Sequence, residues 1–551
     1  MKSITVSFSL LLFFYISQVV QSQFNASLLP VWPQPQNITV NNNIIVLSPS
    51  FQFTCVSTLC PDPISTAFTR YESLIFFAGT ASSSSLYPWL TTLNVSVAND
   101  VLLKYDVDES YTLTINTDGT VATLTAPNQW GILRGLETFA QLVVWNFDFM
   151  EGNNIYSVPY TPVSIIDSPR WSYRAALIDT ARHYLPVSTI LTVLDSLSYN
   201  KLNVLHWHAV DDESWPLYSA TLPNLTKAAY CPYCIYTHSD IAVINQYAWE
   251  RGIVIMLEID SPAHATAFSS GYPNLVITCS NGQTLLNPIP SSTPDGFDIY
   301  KAMSNLLQEF LPLTGNTGIF MFGGDEVFEL TCWNESTLVQ QFMKQQGYTT
   351  VDQVRNYYEL QLQNIAAQYQ TIPMFWEEVF DKNYTINPTT IINVWLSFEE
   401  VSIATKAGIR VVNSYGMYLN QDVPPGGSKY AFQQLWEDFY LVDPTVNQTM
   451  TPEQEALLLG QSVSMWGIQT DTNNIQPNMW PRAAACAERF WSSRELRDLT
   501  TAAVRIEAWR CKLVQRGILS GPTTSSFCPT PALAKEGRTK LKEIGYFNNE
   551  L

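Results

Sequence analysis

The pattern of apolar and polar residues changes near residue 165 and divides the chain into two parts. In residues 23–165, short runs such as Tyr111–Ile115 and Val121–Thr125 alternate as half-buried strands do. The stretch from Trp130 to Val144 instead repeats its apolar residues at helical spacing. The first part is therefore expected to be a small α+β domain, and nothing in it suggests chemistry.

After residue 166 the chain alternates between short β-rich apolar runs and longer segments with helical periodicity. Eight such runs occur, each followed by enough chain for a loop and a helix. This alternation predicts an α/β fold, a (β/α)₈ TIM barrel over residues 166–551. A doubly wound open sheet is the alternative, but it needs a Gly-rich phosphate loop after its first strand, which the sequence lacks. The predicted strands are Ala175–Ile178, Val204–Trp207, Ile253–Leu257, Ile319–Phe322, Met374–Trp376, Ile391–Trp395, Ile409–Val412 and Ser462–Trp466.

Acidic and aromatic residues follow these runs repeatedly, although only 14% of the residues are charged. In a TIM barrel the active site forms at the C-terminal ends of the strands. The clustering therefore predicts one functional site assembled from several loops. The residues at these strand ends are Asp179 to His183, His206, Trp207, His208, Asp211, Asp212, Glu258, Asp260, His264, Asp325, Glu326, Trp376, Glu377, Glu378, Trp395, Tyr418, Asn420 and Trp466.

The charge balance limits the possible partners. The 551 residues include 29 Lys or Arg and 48 Asp or Glu, a formal net charge of −19. A surface this acidic repels phosphate backbones and anionic membrane faces, which argues against a nucleic-acid partner.

The N-terminus has the pattern of a secretory signal peptide. Lys2 precedes an apolar run from Leu10 to Val20, and the small Ser22 offers a cleavage point, so residues 1–22 are expected to be removed. No later stretch of about 20 apolar residues predicts a membrane span. A lysosomal or secreted location is expected, and sequons become candidate glycosylation sites on exposed loops. They begin at Asn25, Asn37, Asn94, Asn224, Asn334, Asn383 and Asn447.

Nine cysteines fit an oxidising compartment. Cys231 and Cys234 form a C-x-x-C motif without a thioredoxin-like βαβ context, so a structural loop disulfide is favoured over a redox site. A zinc site there would need a second ligand pair nearby, and no cluster elsewhere has metal-ligand spacing, so neither metal nor cofactor is expected. Cys486 lies in an apolar stretch and is expected to be a buried free thiol. The other predicted disulfides are Cys55–Cys60, Cys279–Cys332 and Cys511–Cys528.

The most informative turn follows the fourth predicted strand and reads Gly323-Gly324-Asp325-Glu326. Glycines let the backbone turn without steric cost and leave room for a ligand. Neighbouring residues on an extended chain point in opposite directions, so Asp325 and Glu326 need different roles. Most retaining glycosidases use two separated carboxyls, whereas a substrate-assisted group uses the 2-acetamido oxygen of the sugar as nucleophile. An adjacent acid pair suits the second chemistry, although alone it would be read as a solvated turn.

Four motifs in order along the chain resemble the β-N-acetylhexosaminidases of glycoside hydrolase family 20, closest to the eukaryotic lysosomal and secreted members. They are LIDTARHYLP at 177–186, NKLNVLHWHAVDD at 200–212, GGDEV at 323–327 and WPRAAACAER at 480–489. The resemblance implies exo-acting, retaining hydrolysis of terminal β-linked N-acetylglucosamine, and of N-acetylgalactosamine, from glycans. It further implies catalysis through the 2-acetamido group, no cofactor, and a homodimer.

The resemblance also assigns catalytic roles. Glu326 would be the general acid and then the base, with a pKa raised by partial burial. Asp325 would accept a hydrogen bond from the acetamido N–H and stabilise the oxazolinium-like charge. Asp211 and His264 would form a relay that tunes Glu326.

The remaining implied roles concern substrate binding. Arg182 would bind the 3- and 4-hydroxyls of the sugar, a role compatible with a buried ion pair to Asp179. Tyr418 would donate to the acetamido oxygen, and Asn420 would contact the outer hydroxyls. The pocket walls would be three tryptophans at strand ends, although any single Trp could instead be core packing: Trp376, Trp395 and Trp466.

Position 468 departs from the family pattern. After the last strand the family has Trp-x-Glu, with the Glu on the 4- or 6-hydroxyl, but here the chain reads Trp466-Gly467-Ile468. Either Gln469 or Asp471 substitutes, or the site tolerates a different substituent. Two other functions stay open: a catalytically weak, lectin-like protein on the same fold, and an endo-chitinase. The spaced D-x-x-D-x-D-x-E run of family 18 chitinases is absent from the sequence.

Overall fold

The computed structural model describes residues 29–82, 86–148, 153–280, 282–291, 296–327, 330–422, 435–446 and 448–528. The predicted signal peptide and the sequons at Asn25 and Asn447 lie outside these ranges. Within them, no helix combines the length and the apolar character needed to cross a membrane.

The N-terminal domain is built on one eight-stranded sheet with the order β1-β8-β4-β5-β3-β2-β7-β6. Two helices accompany it, α1 (Ile64–Ile75) and α2 (Gln129–Leu142), which confirms the α+β prediction. Every residue of α2 is buried, so this helix is covered on all sides rather than on one face. The strands are β1 (Asn37–Thr39), β2 (Asn43–Cys55), β3 (Trp89–Asn99), β4 (Tyr111–Ile115), β5 (Val121–Asn128), β6 (Val144–Asp148), β7 (Asn153–Thr161) and β8 (Val163–Asp167).

The second part is a closed barrel of eight parallel strands, as the sequence predicted. Every predicted apolar run contributes one strand, and the boundary expected at residue 165 falls inside β8. A separate two-stranded sheet of β12 (Val276–Thr278) and β13 (Thr284–Leu286) lies in the loop after the third barrel strand. The barrel strands are β9 (Tyr173–Asp179), β10 (Val204–His208), β11 (Val254–Ser261), β14 (Ile319–Gly323), β15 (Ile372–Trp376), β16 (Ile391–Val394), β17 (Arg410–Asn413) and β18 (Leu458–Met465).

Helices of varied length surround the barrel and bury the outer faces of its strands. A smaller apolar cluster that includes Leu177, Met256 and Met374 fills the barrel interior. Because the strands are buried on both faces, they appear in the sequence as continuous apolar runs. The helices are α3 (Val187–Tyr199), α4 (His238–Trp249), α5 (Thr266–Gly271), α6 (Ile299–Leu313), α7 (Thr331–Glu335), α8 (Thr337–Gln346), α9 (Val351–Gln368), α10 (Glu378–Asp381), α11 (Phe398–Lys406), α12 (Trp436–Leu441), α13 (Pro452–Glu455), α14 (Ile475–Met479), α15 (Arg482–Trp491) and α16 (Leu499–Gln515).

A buried ionic interface joins the two domains. Glu109 of the N-terminal domain accepts from Arg134 of α2 at 2.7 Å and also pairs with Arg174 of β9. Nearby, the Lys201 ammonium lies 3.0 Å from the Asp167 carboxylate at the end of β8. These side chains are at most 2% exposed. The buried cations of the barrel, Arg174 and Lys201, are therefore paired with carboxylates of the N-terminal domain.

Four disulfides are formed, namely the three predicted close pairs and Cys231–Cys234. Cys279–Cys332 connects the β12–β13 hairpin region to α7. Cys486 is buried and unbonded in α15. Among the described sequons, Asn37, Asn224, Asn334 and Asn383 are exposed and Asn94 is partly exposed, so their occupancy stays a prediction.

Candidate active site

A cavity of about 170 Å³ opens at the C-terminal ends of the barrel strands. All of the predicted catalytic and binding residues except Trp376 line this cavity. Asp260 and Ile468 line it as well. Residues separated by almost 300 positions meet here because parallel strands deliver their following loops to one end of the barrel. The lining residues are Arg182, Asp211, Asp260, His264, Asp325, Glu326, Trp395, Tyr418, Asn420, Trp466 and Ile468.

The turn after β14 requires its two glycines. Both adopt left-handed backbone angles, with φ of +73° at Gly323 and +96° at Gly324. A Cβ on Gly323 would lie 1.6 Å from Asp260 Oδ1, and one on Gly324 would lie 2.7 Å from the Val379 side chain. The turn therefore packs directly against the neighbouring strand ends. This close packing fixes the backbone position of Asp325 and Glu326.

Asp211, His264 and Glu326 form a connected relay. His264 Nδ1 donates to Asp211 Oδ1 at 3.1 Å, and His264 Nε2 faces Glu326 Oε2 at 3.4 Å. Burial alone would lower the pKa of His264, but the charge of Asp260 and the hydrogen bonds to Asp211 and Glu326 raise it above its usual range. His264 therefore bridges two carboxylates, and its raised pKa favours the protonated form.

The relay continues into the barrel. His208 bonds Asp211 Oδ2 through Nε2 at 2.8 Å and Glu258 Oε2 through Nδ1 at 2.7 Å. Burial opposes ionisation of Asp211, yet the hydrogen bonds from His208 and His264 outweigh it and hold the Asp211 pKa below its usual range. Both nitrogens of His208 are occupied, and its pKa is raised by these carboxylates despite burial. The ligand atoms of His208, Glu258 and Asp260 lie within 4.8 Å of one another, but both His208 nitrogens already bond carboxylates, so neither is free to bind a metal ion.

Asp325 occupies the bottom of the turn, only 9% exposed. Its Oδ1 is buried and has no hydrogen-bond partner among the described residues. Burial raises the pKa of Asp325 to about 7, with a further contribution from the charge of Glu378. Asp260 lies beside it, and burial together with the charge of Asp325 raises the pKa of Asp260 well above its ordinary value. Asp325 also lines the cavity, so its carboxylate is placed to accept a hydrogen bond from a ligand.

Comparison with known proteins identifies the family. A family model described as "Glycosyl hydrolase family 20, catalytic domain" matches residues 171–494. The chain belongs to glycoside hydrolase family 20. A second model, "beta-acetyl hexosaminidase like", matches residues 31–142 in the N-terminal domain.

Relatives of this family 20 chain are similar over almost its whole length. Beta-hexosaminidase subunit alpha of Mus musculus is 36% identical, covering 90% of this chain and 94% of the relative. Beta-hexosaminidase subunit A1 of Dictyostelium discoideum is 35% identical and covers 91% of both chains. Among solved structures, the chitobiase of Flavobacterium johnsoniae superposes with a TM-score of 0.76 at 27% identity, over 90% of this chain and 74% of that one.

Glu326 does not have the raised pKa that the sequence predicted. Its side chain is 41% exposed, and the hydrogen bond from His264 lowers its pKa more than partial burial raises it. The prediction of a raised pKa was wrong because it rested on partial burial and left out the opposite effect of His264.

Arg182 is held by carboxylates at the cavity wall. Its guanidinium lies 2.7 Å from Asp211 Oδ2, 3.2 Å from Asp179 Oδ2 and 3.2 Å from Glu213 Oε2. The guanidinium carbon Cζ lies 5.3 Å from the ring centre of Trp466, within cation–π range. The ion pair to Asp179 and a place on the cavity wall therefore coexist in this family 20 site.

Three aromatic rings line the cavity. Trp395 and Tyr418 pack with their ring centres 6.2 Å apart, and Trp466 lies beside Arg182. Trp376 is 1% exposed, and its Nε1 donates to Glu258 Oε1 at 2.9 Å. Its ring packs behind Trp466, with centres 6.0 Å apart, so it supports the wall instead of lining the cavity as predicted.

Ile468 presents an apolar side chain where the family pattern has Glu. It lines the cavity and is 60% exposed. Neither proposed substitute is among the lining residues, and the Asp471 carboxylate instead accepts from the backbone N and the Nδ2 of Asn473, at 2.7 and 3.2 Å. The cavity wall at this point is therefore hydrophobic.

Three carboxylates were given no role from sequence: Glu258 and Asp260 lie near the end of β11, and Glu378 closely follows β15. Glu258 binds two histidines and Trp376, Asp260 lines the cavity, and Glu378 contacts the catalytic turn. Their position at strand ends was visible in the sequence. Their partners were not, because these come from other strands or from the loops that follow them.

Proposed function

We propose that this chain is an exo-acting, retaining β-N-acetylhexosaminidase that removes terminal N-acetylglucosamine, and N-acetylgalactosamine, from glycans. The observation that carries the proposal is the unequal placement of two adjacent acids. Asp325 is buried, lines the cavity and has one oxygen without a partner among the described residues, whereas Glu326 is 41% exposed and faces His264. One carboxylate is placed to bind a substituent of the sugar, and the other to exchange protons.

The relatives support the same substrate class. Relatives named beta-hexosaminidase, from mouse and from Homo sapiens, are 36% and 34% identical to this chain over most of its length. The cavity volume of about 170 Å³ is well below the roughly 300–1,000 Å³ of sites for larger ligands. A small cavity suits one terminal sugar better than the interior of a polymer, which favours exo over endo cleavage.

The chemistry divides between the two acids. The protonated Glu326 donates its proton to the glycosidic oxygen as the bond from that oxygen to C1 breaks. The 2-acetamido carbonyl oxygen of the substrate forms the new bond to C1, producing an oxazolinium ion and a free aglycone. Asp325 accepts a hydrogen bond from the acetamido N–H, and its negative charge stabilises the positive charge that develops on this group.

Hydrolysis reverses these roles. Glu326, now a carboxylate, takes a proton from water as the water oxygen attacks C1 and the oxazolinium ring opens. Two inversions at C1 give net retention. A sugar bound over Glu326 removes this carboxyl from water, which raises its pKa and offsets the lowering by His264. Asp211 fixes the orientation of His264 through the bond at 3.1 Å.

Two substitutions test the proposal. Glu326→Gln should lower kcat by roughly 10²–10⁴-fold on substrates with a poor leaving group. The loss should be smaller on an activated aryl glycoside, whose leaving group needs little protonation. Asp325→Asn should lower kcat on both, because its amide presents a donor or a weaker acceptor to the acetamido N–H. A wild-type protein that binds aryl N-acetylglucosaminides without turnover would favour the lectin-like alternative.

The endo alternative has its own test. A chitin oligomer of five or six units, sampled early in the reaction, should yield monomer and the oligomer shortened by one unit. Early appearance of dimers and trimers without monomer would contradict exo cleavage.

We also propose that the chain enters the secretory pathway. Four disulfides and several exposed sequons suit the secretory pathway and a lysosomal or secreted destination. A homodimer stays a prediction from the family resemblance.

A further inference from the structure

Glu378, the first residue of α10, connects two parts of the site through one carboxylate. Its Oε1 accepts from the backbone N–H of Glu326 at 3.3 Å. Its Oε2 accepts from the indole Nε1–H of Trp395 at 3.1 Å. The proposed acid and one wall of the sugar cavity are thus tied to the same side chain, which does not itself line that cavity.

The backbone of Glu326 needs such support. Its φ is +53°, in the left-handed region that residues with a Cβ rarely adopt. Backbone strain of this kind persists only where surrounding contacts impose it. The bond from Glu326 N to Glu378 holds the residue whose side chain must reach the glycosidic oxygen.

The preceding turn is held by the same neighbourhood. Arg355 Nη2 donates to the Gly324 carbonyl at 2.8 Å, and the Val379 side chain packs against the Gly324 Cα. Arg355 and Val379 therefore fix the start of the turn, and Glu378 fixes its end. Glu326 is therefore held at two points: its backbone N–H by Glu378 of α10, and its carboxylate by His264.

We propose that Glu378 is a positioning residue that sets the geometry of Glu326 relative to Trp395 and thereby the delivery of the proton to the glycosidic oxygen. The proposal rests on the proposed role of Glu326 as the acid. It adds that correct proton delivery requires both oxygens of Glu378 as acceptors at once.

The chain contains a matched control one residue away. Glu377 also accepts two N–H groups, from Trp395 N at 2.6 Å and Leu396 N at 3.1 Å, but both reach the same oxygen, Oε2. A glutamine has one acceptor oxygen. Glu377→Gln can therefore keep both hydrogen bonds through its one amide oxygen. In Glu378→Gln the amide NH2 group would face one of the two N–H donors, so one of the two hydrogen bonds would be lost.

The test compares Glu378→Gln with Glu377→Gln on two substrates. Steady-state kinetics should use an activated aryl N-acetylglucosaminide and a chitin disaccharide, whose leaving group needs the proton. We expect Glu378→Gln to lower kcat on the disaccharide by tenfold or more and on the aryl substrate by less than threefold. Glu377→Gln should keep the wild-type ratio of the two rates. A loss of packing alone would lower both rates together.

A second variant covers the case in which Glu378→Gln does not fold. Glu378→Asp keeps the charge and both acceptors but is one methylene too short to reach both donors, so it should show the same selective loss on the disaccharide. Circular dichroism and the thermal midpoint establish which variant is folded. A folded Glu378 variant with the wild-type ratio of rates overturns the positioning role. If instead Glu326→Gln retains wild-type activity on the disaccharide, it is the proposed acid that fails.

Discussion

Glu377 gives a prediction in which stability, not activity, is measured. It is 2% exposed, and no described Lys, Arg or His forms an ion pair with it. Burial raises its pKa to about 8, because the N–H groups of Trp395 and Leu396 only partly replace lost water. The perturbation is Glu377→Gln, which removes the titrating group and keeps both hydrogen bonds.

The sign follows from proton binding. Between the ordinary Glu pKa and about 8, the folded protein holds a proton on Glu377 that the unfolded chain has lost. The free energy of unfolding therefore falls as pH rises through this range, by at most about 1.4 kcal/mol per pH unit. From pH 5 to pH 7 the contribution of Glu377 is at most about 3 kcal/mol. Glu377→Gln removes this decrease in the free energy of unfolding and leaves the contributions of the other titrating groups unchanged.

The assay is thermal unfolding of both proteins in buffers of equal ionic strength from pH 5 to pH 8. The two midpoints should be close at pH 5, and that of Glu377→Gln should exceed the wild type by a few degrees at pH 7.5. Glu399→Gln, an exposed carboxylate on α11, is the matched control and should follow the wild type at every pH. A midpoint difference that is constant with pH, or that favours the wild type at pH 7.5, would refute the reasoning.

Two further substitutions probe the turn and the cavity wall. Gly323→Ala places a Cβ 1.6 Å from Asp260 Oδ1 and should lower kcat at least tenfold on all substrates. Gly408→Ala, with a similar φ of +83° but nothing within 4 Å, should cost about 1–3 kcal/mol of stability and leave kcat unchanged. Ile468→Glu supplies an acceptor at the hydrophobic wall, so kcat/KM for an aryl N-acetylglucosaminide should rise roughly tenfold relative to its 4-deoxy or 6-deoxy analogue. Equal gains on the parent glycoside and on both deoxy analogues would contradict a hydroxyl contact at position 468.

The barrel and most of the cavity could be predicted because both depend on local sequence signals. Strands buried on both faces are continuous apolar runs, and a TIM barrel places whatever follows them at one end. The predictions that failed concern distances across the fold. Trp376 follows a strand as Trp395 does, but only the structure shows that it bonds Glu258 behind the wall.

The pKa of Glu326 and the role of Glu378 illustrate the same limit. The first depends on His264, and the second on the Glu326 backbone and the Trp395 indole, all of which come from other strand ends. Sequence position says that these residues reach the same end of the barrel. It does not say which pairs approach within hydrogen-bonding distance, because that depends on strand stagger and loop path.

The ionic interface between the domains constrains how this protein can be shortened or recombined. Glu109 pairs with Arg174 of β9, and Asp167 pairs with Lys201, so a barrel produced without residues 29–167 would lose both carboxylate partners and expose to water the surface that they cover. The residues that line the candidate site all lie in the barrel, yet the N-terminal domain is not a detachable module. A shortened or fused version of this protein should therefore keep the barrel and the N-terminal domain together.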